Sequence, residues 1–133
     1  MTDLSEHFVV PFERSFDALY GLEYVEPTRG RVTIRPEHLG ADGTVRSGVY
    51  AAIAESLAST GTAVEVVPKG LVPFGLNNST QVVGEVSDGV LEGLARCRAQ
   101  GPNEWLWDVE IGPPGGPPSA ISTVSIAVRE KRV

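Results

Sequence analysis

Apolar and small residues run almost unbroken from Ser47 to Val64, and Glu55 is the one charged side chain among them. The stretch "RSGVYAAIAESLASTGTAVEV" predicts one long helix without a polar outer stripe, so it is expected to be buried nearly all round. Upstream, "HFVVPFERSFDALYG" places Phe12, Phe16 and Leu19 at helical spacing and predicts a short helix. "LEYVEPTRGRVTIRP" predicts a hairpin whose turn is marked by Pro27 and Gly30, and "HLGADGTV" is a loop. After the long helix the period changes to two. "LVPFGLNNSTQVVGEV" is extended, and "VLEGLARCRAQ" puts Val90, Glu92, Leu94, Arg96 and Arg98 on one strand face. "EWLWDVEIG" and "SAISTVSIAVRE" complete the strands, with turns at "SDG", "GPN" and "PPGGPP".

The order is short helix, two strands, long helix, then three or four antiparallel strands. A hairpin-connected sheet has one face to cover, and a single apolar helix in its concave side covers it. The predicted class is therefore α+β. Residues 1–133 show neither a linker nor an internal repeat, which predicts one domain.

Composition narrows the possibilities. A net charge of −6 argues against a nucleic-acid partner. The long apolar segment approaches a membrane span in length, but its Ala, Ser, Thr and Gly content and Glu55 favour a buried helix packed closely on a neighbour. The single Cys97 excludes an internal disulfide and reads as an inert strand residue. His7 and His38 are too few and too far apart for a metal site. The acidic start "MTDLSEHF" has no apolar signal core, so a cytoplasmic location is expected.

Five segments in order, "GTVRSGVYAAIAESLAST", "GLNNST", "DGVLEGLARC", "WLWDVEI" and "ISTVSIAVR", resemble the hotdog-fold acyl-CoA thioesterases. The resemblance is strongest to the branch of the Arthrobacter-type 4-hydroxybenzoyl-CoA thioesterase and the phenylacetate-pathway thioesterases. It spans roughly residues 19–129. In that family the helix opens with His-Gly-Gly, and the catalytic carboxylate stands nine residues after the His. Arg46 occupies the His position here, and the same count ends on Glu55. The resemblance therefore implies hydrolysis of an aromatic or medium-chain acyl-CoA to the acid and free CoA, without a metal or cofactor.

The residues suit that chemistry. A carboxylate in apolar surroundings is more basic than one in water. The first-turn N–H groups of a helix lack internal partners and lie at the positive end of its dipole, so those of Ser47 and Gly48 can polarise a carbonyl. Ser47 and Glu55 are about 12 Å apart along the helix, too far to meet at one carbonyl carbon. The resemblance implies a dimer, or a dimer of dimers, in which antiparallel helices bring Glu55 of one subunit to the helix start of the other. Ala51, Ala54 and Ala58 would permit that approach, and Ala51, Ser59 and Thr62 share the stripe of Glu55. Ser59 matches a family Thr that helps orient the carboxylate or its water.

Two departures weaken the match. Arg46-Ser47-Gly48 replaces His-Gly-Gly; Ser47 keeps its backbone donor, and its side chain either narrows the pocket or caps the helix. A family Gln six residues before the His corresponds to Gly40, leaving Asp42, His38 or nothing to take its place. CoA phosphates call for a basic rim, for which Arg96, Arg98, Arg129, Lys131 and Arg132 are candidates beside the plainer reading of solvated polar edges. Asn77 and Asn78 are either ordinary polar strand residues or, by the resemblance, acyl-pocket neighbours. Trp105 and Trp107 read as sheet packing. Three alternatives stand: Glu55 as a structural acid paired with Arg46 or Arg129, a non-catalytic acyl-CoA binder, or a dehydratase or hydratase of the same fold. Enzymes of that last kind lean on a His that the helix lacks.

Overall fold

The computed structural model describes residues 8–131. His7 and Arg132 lie outside the described residues. Two short helical turns lead in: a 3-10 turn, Phe12–Arg14, and α1, Phe16–Leu19. Six strands follow around one long helix: β1 Leu22–Glu26, β2 Arg29–Thr33, α2 Ser47–Val66, β3 Leu71–Val82, β4 Val90–Gln100, β5 Glu104–Gly112 and β6 Ala120–Glu130. All pairings are antiparallel, in the order β1-β2-β4-β5-β6-β3. Helix α2 is thus the crossover that takes the chain from β2 to β3 at the opposite edge. It lies in the concave face of the sheet, as the sequence predicts. No helix among the described residues is long and apolar enough to cross a membrane.

The core forms where the two periodicities meet. Tyr50, Ile53, Ala54, Leu57 and Ala58 of α2 are at most 1% exposed and face Val32, Leu91, Val109, Ile111, Val124 and Ile126 of the sheet. Each large aliphatic side chain removed from water contributes about 1.5–3 kcal/mol. The helix lies so close to the sheet that side chains are excluded at some points. A Cβ on Gly61 would stand 2.7 Å from both the Trp107 ring and the Thr28 methyl. The Trp107 indole N–H donates to Thr62 Oγ1 at 2.9 Å, and that hydroxyl donates to Ala58 O at 2.8 Å. The two tryptophans are indeed buried sheet residues.

The structure corrects several expectations. Gly30 is a buried residue within β2, and the hairpin turns at Pro27–Thr28. The N-terminal helix is broken at Ser15, whose extended backbone caps α1 and whose Oγ accepts from Ala18 N–H at 3.2 Å. That break rotates the register, so Phe16 and Leu19 are 67% and 74% exposed while Asp17 is buried. Helix α2 is not enclosed all round: Ser47, Gly48 and Glu55 are exposed, and Ala51, Ala52 and Ser59 are half-buried. One sheet can cover only one side of a helix. Ala54, Ala58 and Thr62 face that sheet and are buried within the chain, so they offer no surface to a second helix.

Replacing Thr62 by Val preserves shape but leaves the buried Trp107 N–H without an acceptor. The expected cost is about 1–3 kcal/mol, read from the urea unfolding midpoint at unchanged m-value. Wild-type stability in Thr62→Val would show that this hydrogen bond does not help to hold the helix to the sheet.

Candidate active site

Three backbone anchors fix where α2 begins. Val45 N–H donates to Val86 O at 2.8 Å, Arg46 N–H to His38 O at 3.0 Å, and Val49 N–H to Arg46 O at 3.0 Å. Arg46 is extended (φ −70°, ψ 146°), and no side chain caps the helix. Ser47 and Gly48 therefore present first-turn backbone on the open side of the helix, at the positive end of its dipole. A Cβ on Gly48 would meet nothing within 4 Å.

The loop before the helix settles the role of His38. Its Nδ1 accepts from Arg35 N–H at 2.9 Å, and its Nε2 faces Tyr20 O at 2.8 Å. The ring is therefore the Nε2–H tautomer, buried with both nitrogens engaged, and it offers nothing to a ligand. Asp42 is exposed and accepts from Thr44 N–H at 3.0 Å and Thr44 Oγ1 at 2.9 Å, which holds its carboxyl below the usual range. A Cβ on Gly40 would lie 3.5 Å from both Asp42 Oδ1 and Arg46 Nε, so the loop runs directly beside Arg46.

Glu55 lies two turns along the same open side. One side of its carboxylate is exposed; the other presses against β3, where a Cβ on Gly75 would stand 2.5 Å from Oε1. Gly75 opens a β-bulge: the register with β6 shifts between Gly75 and Asn77, leaving Leu76 unpaired. Glycine at this point lets the carboxylate lie over the strand. Burial, then the charge of Asp17, pushes the Glu55 carboxyl upward. Glu55 forms no ion pair among the described residues, and Arg129 Nη1 instead donates to Asn103 O at 2.6 Å. A cleft of about 210 Å³ beside Glu55 is lined by Asp17, Ser56, Ser59, Thr60 and Pro73, among others.

The other candidates are dispersed. Asn78 Nδ2 donates to Ala51 O at 2.9 Å, and its Oδ1 accepts from Thr80 Oγ1 at 2.7 Å, so the residue ties β3 to the turn before Glu55. Asn77 is exposed opposite Ser125. Arg96 is exposed on β4, and the Arg98 guanidinium is held in a two-point ion pair by Asp108, with Nε–Oδ2 at 2.8 Å. Arg129 and Lys131 line an open pocket of about 600 Å³ with Val72, Phe74 and Glu130. Cys97 is exposed, with its thiol pushed up chiefly by burial. Among the described residues no group of His, Cys, Asp and Glu is placed to hold a metal ion. Sequence reasoning missed Asp17, Ser56 and Gly75. The pattern Ser15-Phe16-Asp17-Ala18 carried a capping signal for Asp17; the bulge at Gly75 had none.

The raised Glu55 carboxyl has a consequence for stability. The folded protein holds this proton more tightly than the unfolded chain, whose glutamate titrates at about 4.3. Stability therefore falls as pH rises through the window from that value to the folded one. Glu55→Gln should be at least as stable as the wild type at pH 7–8, and its advantage should vanish below about pH 4. Denaturant midpoints measured across that range check this; a variant clearly less stable at neutral pH would identify Glu55 as a structural acid.

No protein-family model matches the chain. The protein named "Putative esterase Rv1847" from Mycobacterium tuberculosis is 33% identical over 102 residues, covering 72% of this chain and 73% of its own. The solved structure of that esterase superposes with a TM-score of 0.83 at 32% identity, covering 89% of this chain and 98% of its own. A mutant thioesterase from Pseudomonas aeruginosa, PA1618, matches at a TM-score of 0.83 and 21% identity, over 97% and 96% of the two chains. The BH2602 protein from Bacillus halodurans, solved with CoA, matches at 0.77 and 18% identity, over 84% and 74%. These likenesses establish the hotdog fold. One-third identity over most of both chains makes this protein a member of the hotdog-fold family to which the Mycobacterium tuberculosis protein belongs.

Proposed function

We propose that the protein is an acyl-CoA thioesterase that cleaves an aromatic or medium-chain acyl-CoA in the cytoplasm, as a single-domain chain assembled into a homodimer or a dimer of dimers. One observation carries this reading. Glu55 is a carboxylate without a cationic partner among the described residues, open on one side, and packed over a glycine on the other. A purely structural acid needs no such arrangement; a nucleophile or base does. The esterase and thioesterase names of the relatives, and the CoA bound to the Bacillus protein, support the substrate class.

In the proposed reaction the thioester oxygen accepts hydrogen bonds from the Ser47 and Gly48 N–H groups of one subunit. Glu55 of the other subunit either attacks the carbonyl carbon or removes a proton from the water that does. The carbon–sulfur bond breaks, CoA leaves as the thiol, and water supplies the oxygen of the acid. Ser59, one turn beyond Glu55, lines the same cleft, which supports the reading that it orients the water. The open space above Gly48 leaves room for the thioester. Arg46 puts a cation beside the thioester, Arg96, Arg129 and Lys131 serve the CoA phosphates, Arg98 contributes less because Asp108 neutralises it, and Asn77 borders the acyl group. Chemistry of this kind needs no metal or cofactor. A second copy fits the edge strand β3, where Phe74, Leu76 and Val82 are 57%, 53% and 43% exposed and Val83 just beyond the strand is 59% exposed.

A non-catalytic acyl-CoA binder is the second reading, favoured by Gly40 and by the engagement of His38 in its own loop. The same engagement weighs against a hydratase that relies on histidine. Incubation with a panel of acyl-CoAs and a thiol reagent separates the readings. Glu55→Ala should lose at least about a hundredfold in rate, or roughly 3 kcal/mol of barrier, and remain folded. Near wild-type hydrolysis by Glu55→Ala would refute the assignment, and no hydrolysis by wild type would favour the binder.

The shared site has its own test. Gly48→Pro removes a backbone donor at the helix start, where proline is tolerated, and leaves Glu55 in place. In a mixed dimer with Glu55→Ala, one site carries both defects and the other neither. Co-refolded mixtures should recover up to about a quarter of wild-type activity, because half the dimers are mixed and each has one intact site. Mixtures as inactive as the separate variants, with subunit exchange verified by mass spectrometry, would place acid and donors in one chain.

A further inference from the structure

The cleft beside Glu55 holds a second carboxylate to which the proposed reaction gives no part. Asp17 is 8% exposed and accepts from Tyr24 Oη at 2.7 Å and from Ser56 Oγ at 2.7 Å. Tyr20 Oη donates to Ser56 Oγ at 3.0 Å, and Tyr24 Oη lies 2.9 Å from Thr60 Oγ1. The direction of the protons follows from this chain. Ser56 has one hydroxyl hydrogen, and since it receives Tyr20 it gives its own to Asp17. Tyr24 gives its hydrogen to the other Asp17 oxygen. Both Asp17 oxygens thus act as acceptors, one for each hydroxyl. Burial and Asp17 push both tyrosines upward, so these donors keep their protons across the ordinary pH range.

The network also has mechanical reach. It joins α1 and β1 to Ser56 and Thr60, the residues on α2 immediately after Glu55 and one turn beyond. Asp17 and Glu55 line the same cleft. The polar groups around Glu55 are Asp17 and Tyr20 from the α1 end and Ser56, Ser59 and Thr60 from α2 itself. Strand β3 contributes Pro73 and Gly75 and contains no ionisable residue. Arg129 and Glu130 of β6 open on the Phe74 pocket instead. Among the described residues Asp17 is the charged group that pushes the Glu55 carboxyl upward, second to burial.

We propose that Asp17 is a positioning residue for Glu55: through Ser56 it holds the helical turn that carries Glu55, and its carboxylate lines the same cleft. The inference rests on the reading of Glu55 as the reactive carboxylate. A catalytic base works best when its proton affinity approaches the operating pH, and a neighbouring Asp17 pushes Glu55 in that direction without contacting substrate.

The test uses the full-length protein with ¹³C-labelled glutamate side chains, the Glu55 carboxyl resonance being identified by its loss in Glu55→Gln. In Asp17→Asn the Glu55 midpoint should move to lower pH, and the acid limb of kcat/KM should move with it. The rate constant kcat should fall about ten- to a hundredfold with KM within about twofold, the scale of a misplaced catalytic group. An unmoved midpoint in folded Asp17→Asn overturns the inference. Should Asp17→Asn fail to fold, Ser56→Ala decides: it cuts the tether, keeps the charge, and replaces a helical Ser by a better helix former. A comparable fall in kcat with the acid limb in place supports the proposal, and wild-type kcat overturns it. If no thioester is hydrolysed even by wild type while the midpoint still moves, the thioesterase reading fails and the carboxylate coupling stands. Hydrolysis by wild type with an unmoved midpoint removes the coupling alone.

Discussion

Everything in this protein depends on how closely helix α2 lies in the concave face of its sheet. At Gly61 and Gly93 the separation is too small for a methyl group: a Cβ on Gly93 would reach Leu57 Cδ1 at 2.8 Å. Close-packed interiors do not deform continuously, so this contact fixes the rotation of the helix about its axis. That rotation sends Ile53, Ala54, Leu57 and Ala58 inward, and it leaves Ser47, Gly48 and Glu55 on the open side. The core and the candidate site are two faces of one constraint.

The open side is then furnished by the sheet edge. Strand β3 brings Gly75 under the Glu55 carboxylate and Asn78 to the Ala51 carbonyl. Its bulge at Leu76 breaks the pairing beside the acid. From the opposite direction, α1 and β1 deliver Asp17, Tyr20 and Tyr24 to Ser56 and Thr60. Glu55 therefore sits between a strand without ionisable groups and a hydroxyl-rich network that ends in a second carboxylate. Those surroundings raise its proton affinity while one side stays accessible. The stability given up by holding an acid there is consistent with a functional position.

Much of this was legible in the sequence. The switch from a long apolar helix to period-two strands gave the architecture, because both periods follow from backbone geometry alone. Glu55 stood out as the single charge in that helix. Other features were hidden for physical reasons. The helix reads as buried all round because Ala, Ser and Gly are compatible with either environment, so composition could not show which side lay open. Asp17 was missed because a capping break at Ser15 turns a four-residue helix, exposing the Phe16 and Leu19 that spacing assigned to the core. A bulge at Gly75 leaves no periodic trace, and the Arg98–Asp108 pair depends on a register set by two strands together.

In the proposed reaction the Glu55 carboxylate of one subunit and the Ser47 and Gly48 backbone of another converge on one thioester carbonyl. The most direct measurement is a crystal structure with an acyl-CoA analogue whose thioester is replaced by a non-cleavable ketone. The ketone oxygen should lie about 3 Å from a helix-start N–H and its carbon about 3–3.5 Å from Glu55 of the neighbouring subunit, or one water away. An analogue bound with its carbonyl remote from Glu55, or held wholly within one subunit, would contradict it.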